Sequence, residues 1–398
     1  MKKRILIVGG GYAGLACAIE LESILDQSKA SVTLISKHDY HYQSTLLHRV
    51  ALGTYSARKA RIFYRKILEK TTFIKDTITK IETDKNHVHG NLGCYEYDYL
   101  VIALGFEPNY MGIEGAGEHT FSLASVNLAT KLRHHLECKF KDFDPSKDLN
   151  DLSFAVVGSG FTGVEFAAEL ADRAKELCEI CGIDERLVKI QLISRSEQIL
   201  PMFNKKLSQK AKEKLEKKGI SIIKGTLIKA QNDGIIIKND SGEQKILANT
   251  TLLSAGVKGS SVINASGFEN KNDRIAVDDY LKAPGCENVF VLGDSAVASE
   301  RDLIHAPTAQ LASQMGESCA RNICSLLNGK ALKKFKFFHK GTVCSIGHTD
   351  AVGFAFGVSI AGEIAAFLKN FIENKWLFFI GGIFMVIKKG QFRFRSSD

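Results

Sequence analysis

The sequence predicts an α/β architecture of two parallel-sheet domains, the second inserted in the first, with an apolar and basic segment at the C-terminus. Three observations predict it: a glycine-rich turn between an apolar strand and a helix at the start of the chain, a second such turn from Gly158, and a strand followed by Gly-Asp at Asn288–Asp294. At 398 residues the chain is too long for one ordinary domain, which holds ~100–200. Its 45% hydrophobic and 24% charged residues provide a core and a solvated surface, and with 5 prolines and no low-complexity tract little of it should be disordered.

The first strand is the apolar, β-branched run Arg4-Ile5-Leu6-Ile7-Val8, which reads as buried on both faces of a parallel sheet. It breaks at Gly9-Gly10-Gly11-Tyr12-Ala13-Gly14, a G-x-G-x-x-G pattern, followed by a helix from Leu15 to Leu25 and a strand from Ser31 to Ile35. That is the context a dinucleotide-binding fingerprint requires. Gly9 makes the tight turn, Gly11 lets a pyrophosphate approach the backbone, and Gly14 lets the helix pack on the strand. The phosphates then sit at the helix N-terminus, where free N–H groups and the helix dipole favour anions.

The pattern recurs in Leu152–Val157, then Gly158-Ser159-Gly160-Phe161-Thr162-Gly163, a helix over Val164–Cys181 and a strand over Leu187–Ile193. One fingerprint can be accidental; two in one chain describe an oxidoreductase that binds two dinucleotides. The segment Asn288–Asp294 resembles the strand-Gly-Asp of two-domain FAD/NAD(P) reductases, in which the Asp holds the flavin's ribityl chain, so the resemblance assigns Asp294 to FAD. Tyr99–Gly105 and Ser254-Ala255-Gly256 resemble the segments by which such chains leave each domain, ending at Gly105 and Gly256. The first fingerprint is then the FAD site and the second the NAD(P)H site. The expected domains are 1–112 with 276–335 for FAD, 113–275 for NAD(P)H, and 336–398 for membrane anchoring and dimerisation.

Tyr40-His41-Tyr42, Leu47-His48, Gly163–Phe166, Leu200-Pro201-Met202-Phe203, Ala309–Gln314 and Gly341–Ser345 together resemble the type II NADH dehydrogenases, single-subunit NAD(P)H:quinone oxidoreductases that pump no protons. The resemblance covers nearly the whole chain. It makes Ala309-Gln310-x-Ala312-x-Gln314 the quinone-site motif. On a helix Gln310 and Gln314 share a face, and amides can donate to quinone carbonyls without carrying charge. It also implies that Ala309, Gln310 and Lys369 contact FAD, and that Glu165, just after the second fingerprint, lies near flavin and quinone and supplies or relays protons. Quinone needs two protons to become quinol while NAD(P)H brings one hydride, so the chemistry has a place for such a carboxylate. Glu165, Gln310 and Gln314 are the expected catalytic residues.

The nine cysteines weigh against two rivals. Disulfide reductases carry C-x-x-x-x-C after the second strand, but no Cys occurs between Cys17 and Cys94. A sulfide:quinone-type reductase needs paired cysteines at the flavin; Cys344 has no evident partner, and Cys178 and Cys181 are expected on a helix surface, not as a metal site. The alternatives are a sulfide:quinone-type reductase or a soluble NAD(P)H-dependent flavoprotein reductase acting on a protein or small-molecule acceptor. With no secretory signal, the thiols read as reduced and cytosolic.

The net charge of +9 is concentrated late, in Lys369, Lys375, Lys388, Lys389, Arg393 and Arg395. A basic, aromatic C-terminus points to anionic lipid, and no nucleic-acid-binding pattern accompanies it. Ile364, Phe367, Leu368, Phe371 and Ile372 fall at helical spacing, and the apolar run Trp376–Ile387 is shorter than the ~20 residues of a spanning helix. A peripheral segment on the cytoplasmic face of the cell membrane is expected, with a homodimer formed through the same region and a membrane quinone as electron acceptor.

Two positions depart from the family pattern. Where an acid usually accepts the adenosine ribose of FAD stand Ser36 and Lys37. Where NADH-using relatives carry Glu, the second domain has Ser194-Arg195-Ser196. An acid there repels a 2′-phosphate and Arg accommodates one, so NADPH is expected to be accepted or preferred alongside NADH.

Overall fold

In the computed structural model, residues 2–300, 303–355 and 357–392 are described. In chain order β1 (Lys3–Val8), α1 (Tyr12–Ile24) and β2 (Ala30–Ser36) are followed by two short helices, α2 (Leu47–Ala51) and α3 (Ala57–Ala60), and by strands β3 (Thr72–Lys75) and β4 (Tyr99–Ile102). Then come β5 (Ser153–Val157), α4 (Phe161–Cys181), β6 (Lys189–Ser194), β7 (Ile220–Lys224) and β8 (Thr250–Leu253). The chain continues with β9 (Val289–Val291), α5 (Ala309–Leu327), strands β10 (Gly341–Ser345), β11 (Ala351–Ala355) and β12 (Val358–Ala361), and α6 (Glu363–Lys389).

The chain divides into two compact units. The first comprises the chain up to Gln43, Arg61–Glu107 and Val257–His339; the second comprises Ser44–Ala60, Pro108–Gly256 and the chain from Lys340 onward. This grouping differs most from the expected boundaries in three places. Residues 257–275 join the first unit, where Ser266 Oγ accepts the Ile81 N–H at 2.9 Å. Residues 44–60 join the second unit, and so does the C-terminal region, in which α6 packs on β10 and β11 and β10 packs on α4.

In the first unit β9, β4, β1, β2 and β3 lie side by side in that order, all parallel. Ile5 to Val8 are buried, as a sheet covered on both faces demands. β1 is central, and the strand order reverses across it, so its carboxyl end is the switch point at which such sheets bind ligands. α1 and α5 cross closely there: a Cβ on Gly316 would lie 2.3 Å from the Ala13 carbonyl oxygen. The second unit repeats the plan with β7, β6, β5 and β8, again parallel and with β5 central.

The first helix starts at Tyr12, not Leu15, because the Leu15 N–H already bonds the Gly11 carbonyl at 3.0 Å. Leu187 lies in a short turn of 3-10 helix capped by Asp184, so β6 begins at Lys189. Cys178, expected on a helix surface, is buried; Cys181 is exposed. The C-terminal helix is longer than the apolar run Trp376–Ile387 suggested, because the preceding amphipathic stretch continues into it.

Candidate active site

Both glycine turns rest on the same backbone hydrogen bonds. Gly9 donates to Ile35 at 2.8 Å and Gly158 to Ile193 at 2.9 Å. Gly9 has φ +103° and Gly158 φ +113°, the left-handed region that a side chain resists. A Cβ on Gly9 would lie 2.1 Å from the Ala103 carbonyl oxygen; on Gly14 or Gly163 it would lie 1.9 Å from the carbonyl oxygen of Gly9 or Gly158. On Gly11 or Gly160 it would meet nothing within 4 Å. At these middle glycines neither helix has a side-chain cap, so first-turn N–H groups face open space and suit a pyrophosphate. The residues of both turns fit a dinucleotide.

The first turn is walled by side chains. Tyr64 donates its hydroxyl to the Gly10 carbonyl at 2.7 Å, and His41 Nδ1 lies 3.1 Å from the same oxygen. Burial pushes the Tyr64 hydroxyl up and lowers His41 to about 4, so both stay neutral and both can donate to this carbonyl. Tyr12 packs edge-on against His41, with ring centroids 5.1 Å apart. Gly293 seats the Asp294 segment beside α1, a Cβ there lying 3.2 Å from that of Ala13. Asp294 has no side-chain hydrogen bond among the described residues, and burial pushes its carboxyl up against the pull of Arg274. An acceptor so placed fits a polyol hydroxyl. Ser36 ends β2 and gives its carbonyl to the Asp76 N–H at 3.1 Å, Lys37 is exposed, and Gly105 lies just beyond β4.

The second turn is more open. The Ser159 carbonyl accepts the Leu200 N–H at 2.8 Å, and Phe161 meets Phe203 edge-on at 5.3 Å. This places the Leu200–Phe203 segment against the turn. Ser194 corrects an expectation: its side chain is buried, donates to the Ser196 carbonyl at 2.7 Å and lies 2.7 Å from Ser159 Oγ. Its proton is therefore not offered to a nucleotide. Arg195 is exposed, and Gly256 lies just beyond β8.

The second unit also gathers a buried polar cluster from α2, α4, β10 and α6. Glu165 is 5% exposed, accepts the Ser345 N–H at 3.0 Å and hydroxyl at 3.2 Å, and pairs with Lys369 at 3.1 Å. Lys369 lies 3.4 Å from Glu373, which accepts the Thr45 hydroxyl at 2.8 Å. Burial works to raise the Glu165 carboxyl, but Lys369 and the Ser345 N–H outweigh it and hold the carboxyl below its usual range. Burial works to lower Lys369, and its two carboxylates outweigh that, so the pair stays charged. His48 Nδ1 is 3.9 Å from Glu165, and burial keeps it neutral despite the carboxylates. Farther out, His348 lies 3.4 Å from Glu169 and 3.8 Å from the partly exposed Glu176. His48 Nε2, Glu169 Oε2 and His348 Nε2 are buried without hydrogen-bond partners.

Ala309 opens α5, which Thr308 caps by accepting the Leu311 N–H at 3.1 Å. Gln310 is half-buried. Gln314 differs from expectation, because its amide donates to the Phe338 carbonyl and accepts the Phe338 N–H, both at 3.0 Å. Those bonds commit it to the segment after α5. The roles of His48, Ser345, Glu373, Tyr64 and Glu169 were not evident from sequence. His48 and Ser345 stand in recognisable segments, but no spacing links them to Glu165.

Two dinucleotide turns, each at the switch point of a parallel sheet, define a two-dinucleotide oxidoreductase. The family model for pyridine nucleotide-disulphide oxidoreductases matches residues 3–316. The type II NADH:quinone oxidoreductase of Staphylococcus aureus (strain NCTC 8325 / PS 47) is 40% identical, over 98% of this chain and 99% of that protein. Among solved structures, NDH2 from Plasmodium falciparum in complex with NADH superposes with a TM-score of 0.87 at 18% identity, covering 98% of each chain. The sulfide:quinone oxidoreductase of Aquifex aeolicus does so at 0.79 and 21%, covering 95% of this chain and 91% of the other; both show a common fold. The chain belongs to the pyridine nucleotide-disulphide oxidoreductase family and, within it, to the type II NADH:quinone oxidoreductases.

Proposed function

We propose that this protein oxidises NADH and reduces a membrane quinone, with FAD as the resident cofactor. The observation that carries the reading is the pair of glycine turns, alike in backbone and set in separate units of one chain. When bound, FAD would supply the two-electron redox chemistry that links NADH to quinone. Gly9, Gly10, Gly11, Tyr12, Ala13 and Gly14 would hold its pyrophosphate, Asp294 would accept a hydroxyl of its polyol, and Ser36, Lys37, Gly105, Ala309 and Gln310 would complete its contacts in that unit. Gly158, Gly160, Gly163, Arg195 and Gly256 bind the nicotinamide dinucleotide, with Arg195 admitting NADPH as well. Ser194 contributes by fixing the loop, not by donating to the nucleotide.

Quinol formation consumes one proton more than hydride brings. Glu165, ionised and buried with Lys369 holding its charge in place, carries no proton at rest and would relay that proton, accepting it from the surface side and passing it on. His48, Glu169 and His348 lead from it toward Glu176 at the surface. Gln310 presents its amide to the quinone, and Gln314 supports that wall through Phe338. Cys344 does not favour sulfide chemistry: it is buried and burial pushes its thiol up, the reverse of what a nucleophilic thiolate needs. As a member of its family the protein is membrane-associated. We place it on the cytoplasmic face, held by its C-terminal region as a homodimer.

Anaerobic stopped-flow separates the two half-reactions. Glu165→Gln should leave flavin bleaching by NADH intact and slow reoxidation by quinone about a hundredfold, the scale of a lost acid–base group. Equal loss in both halves would remove Glu165 from the chemistry, and protein that cannot be loaded with FAD would defeat the whole reading.

A further inference from the structure

The buried cluster of the second unit holds another cation, Arg49, which follows His48 on α2 and is itself buried. One guanidinium nitrogen donates to Asn370 Oδ1 at 3.3 Å and to Gln391 Oε1 at 3.0 Å, and Nε is buried without a partner. Gln391 reaches Arg49 because the backbone leaves α6 at Gly381 and Gly382 and turns back. Asn374 Nδ2 then donates to the Gln391 carbonyl at 2.9 Å, and the Gln391 N–H to Asn374 Oδ1 at 2.7 Å. Both acceptors of Arg49 are neutral amides. Among the described residues the cluster's ion pairs join His48 and Lys369 to Glu165, Lys369 to Glu373, and His348 to Glu169 and Glu176; none uses Arg49.

A buried charge without a direct opposite partner is strongly unfavourable unless the charges around it compensate. Here Glu165, Glu169 and Glu373 are three buried carboxylates against the single ammonium of Lys369, and Arg49 is the second positive charge. Thr54 links it to the acids, its hydroxyl lying 3.3 Å from the Arg49 carbonyl oxygen and 2.5 Å from Glu169 Oε1. His48 stands among these groups. α4 brings Glu165 and Glu169, α6 brings Lys369 and Glu373, and β10 brings buried Cys344. The helix Val126–Lys141 brings Arg133, which lies over Gly53 and pairs with Glu137 at 2.8 Å.

An imidazole between two carboxylates takes a proton and keeps it, because each carboxylate favours the imidazolium. A proton so trapped stops the relay. Burial opposes the trap at His48, and Arg49 and Lys369 add to it, while Glu165 and Glu169 pull the other way. Lys369 is committed to acids at 3.1 and 3.4 Å; Arg49 is committed to none, and a guanidinium keeps its charge at any working pH. We propose that Arg49 is a positioning residue for the quinone half-reaction, its fixed charge beside His48 leaving that imidazole free to accept a proton and pass it on between Glu169 and Glu165. A proton binds one ring nitrogen as the other releases its own, so the ring ends each transfer neutral. The inference rests on the proton role proposed for Glu165 and deepens it by naming what keeps the relay from filling.

The test uses full-length FAD-loaded enzyme with isotope-labelled histidine, followed by NMR, the His48 signal being the one lost in His48→Gln. In wild type it should titrate below the 6.5 of a free imidazole. Arg49→Gln keeps an amide donor for Asn370 and Gln391 but removes the charge, and should raise the titration by about one pH unit, the scale of one nearby charge. Arg49→Met, which removes the donors as well, should raise it equally. Arg49→Lys, which keeps the charge, should leave it in place. Anaerobic stopped-flow then follows flavin reoxidation by quinone against pH. Its acid limb should move up with His48 in the Gln and Met variants, since the neutral imidazole is lost from a higher pH, while bleaching by NADH does not change. If the Gln and Met variants titrate as wild type does, or Arg49→Lys shifts as far as they do, the inference fails and Arg49 only anchors the returning chain. A shifted titration with an unmoved acid limb overturns His48 as a relay, and leaves Glu165 standing if Glu165→Gln still slows reoxidation. If Glu165→Gln has no effect either, the proton reading of Glu165 falls with it.

Discussion

At Gly10 the middle carbonyl of the first glycine turn faces the Tyr64 hydroxyl at 2.7 Å and His41 Nδ1 at 3.1 Å. At Ser159, the same position in the second turn, the carbonyl accepts a backbone N–H, that of Leu200 at 2.8 Å. The strands and helices around the two are otherwise alike: Ala103 and Ser254 donate to the ends of β1 and β5 at 2.8 and 2.9 Å. The difference teaches how one backbone serves two kinds of ligand. On the proposed reading, buried aromatic side chains stiffen the first turn for a cofactor that stays. A turn held by its own main chain, with exposed Arg195 beside it, suits a substrate that arrives and leaves.

The hardest test of that division exchanges the third glycines. Gly14→Ala places a Cβ 1.9 Å from the Gly9 carbonyl oxygen and should give protein without bound FAD. Gly163→Ala makes the same clash in the other unit and should give yellow protein whose flavin NADH cannot bleach. Absorbance in the visible flavin band and anaerobic reduction read the two outcomes. If both variants lose FAD, the turns are not independent sites. Circular dichroism shows whether either variant has simply failed to fold.

The polar cluster should respond next most strongly. Removing one partner of a buried pair leaves the other charge uncompensated, at a cost of ~3–5 kcal/mol. Lys369→Met should therefore lower stability in urea by that order. Replacing Glu165 and Lys369 together by Gln and Met should recover much of it. A single Lys369→Met change below about 1 kcal/mol would mean that the pair is solvated.

These two regions also differ in how far the sequence exposes them. A glycine turn is local: Gly9, Gly11 and Gly14 act within one strand–turn–helix, so spacing and flanking apolar runs suffice to find it. His48, Glu165, Ser345 and Lys369 come from four elements that only the tertiary fold assembles, and their pairing follows no period. The same holds for Gln314, whose helical spacing with Gln310 is real but whose amide is claimed by Phe338, a residue beyond the helix. Ser194 was legible as a missing carboxylate, not as a buried hydroxyl donating to Ser196. The C-terminal turn-back was hidden for a related reason. Gly381-Gly382 is tolerated within an apolar run, and only the distant Gln391 shows that the helix reverses there.

Acid should distinguish the two turns without mutation. His41 is lowered from 6.5 to about 4 by burial. Its neutral form is thus favoured in the folded state, and the unfolded chain binds the extra proton first. Stability from this residue is intact above pH 6.5 and is lost as pH falls toward 4. The loss runs at ~1.4 kcal/mol for each pH unit crossed. FAD should be released progressively across that window. His41→Gln, which keeps a donor without titrating, should flatten the profile. Identical acid release from wild type and variant would show that another group controls retention.

The smallest expected effect is at the open turn, and it is the one that depends most on a single exposed side chain. Where NADH-using relatives would place a carboxylate, this chain has buried Ser194, so nothing there repels a 2′-phosphate. Ser194 does not attract one either, because its proton goes to the Ser196 carbonyl at 2.7 Å. Discrimination therefore falls to Arg195, exposed and planar, with a fork of donors that matches phosphate oxygens. A charge-assisted contact of this kind contributes ~1.5–3 kcal/mol, roughly ten- to a hundredfold in affinity. Exposure to salt and water puts Arg195 at the low end of that range. Arg195→Ala should raise the KM for NADPH about tenfold and leave that for NADH nearly unchanged, with the difference shrinking as ionic strength rises. Ser194→Glu should suppress NADPH turnover further, provided the carboxylate swings out of the space the buried hydroxyl occupies. If Arg195→Ala changes both KM values equally, the arginine holds the loop instead of reading the phosphate. If it changes neither, the open turn accepts NADH and NADPH through their shared pyrophosphate alone.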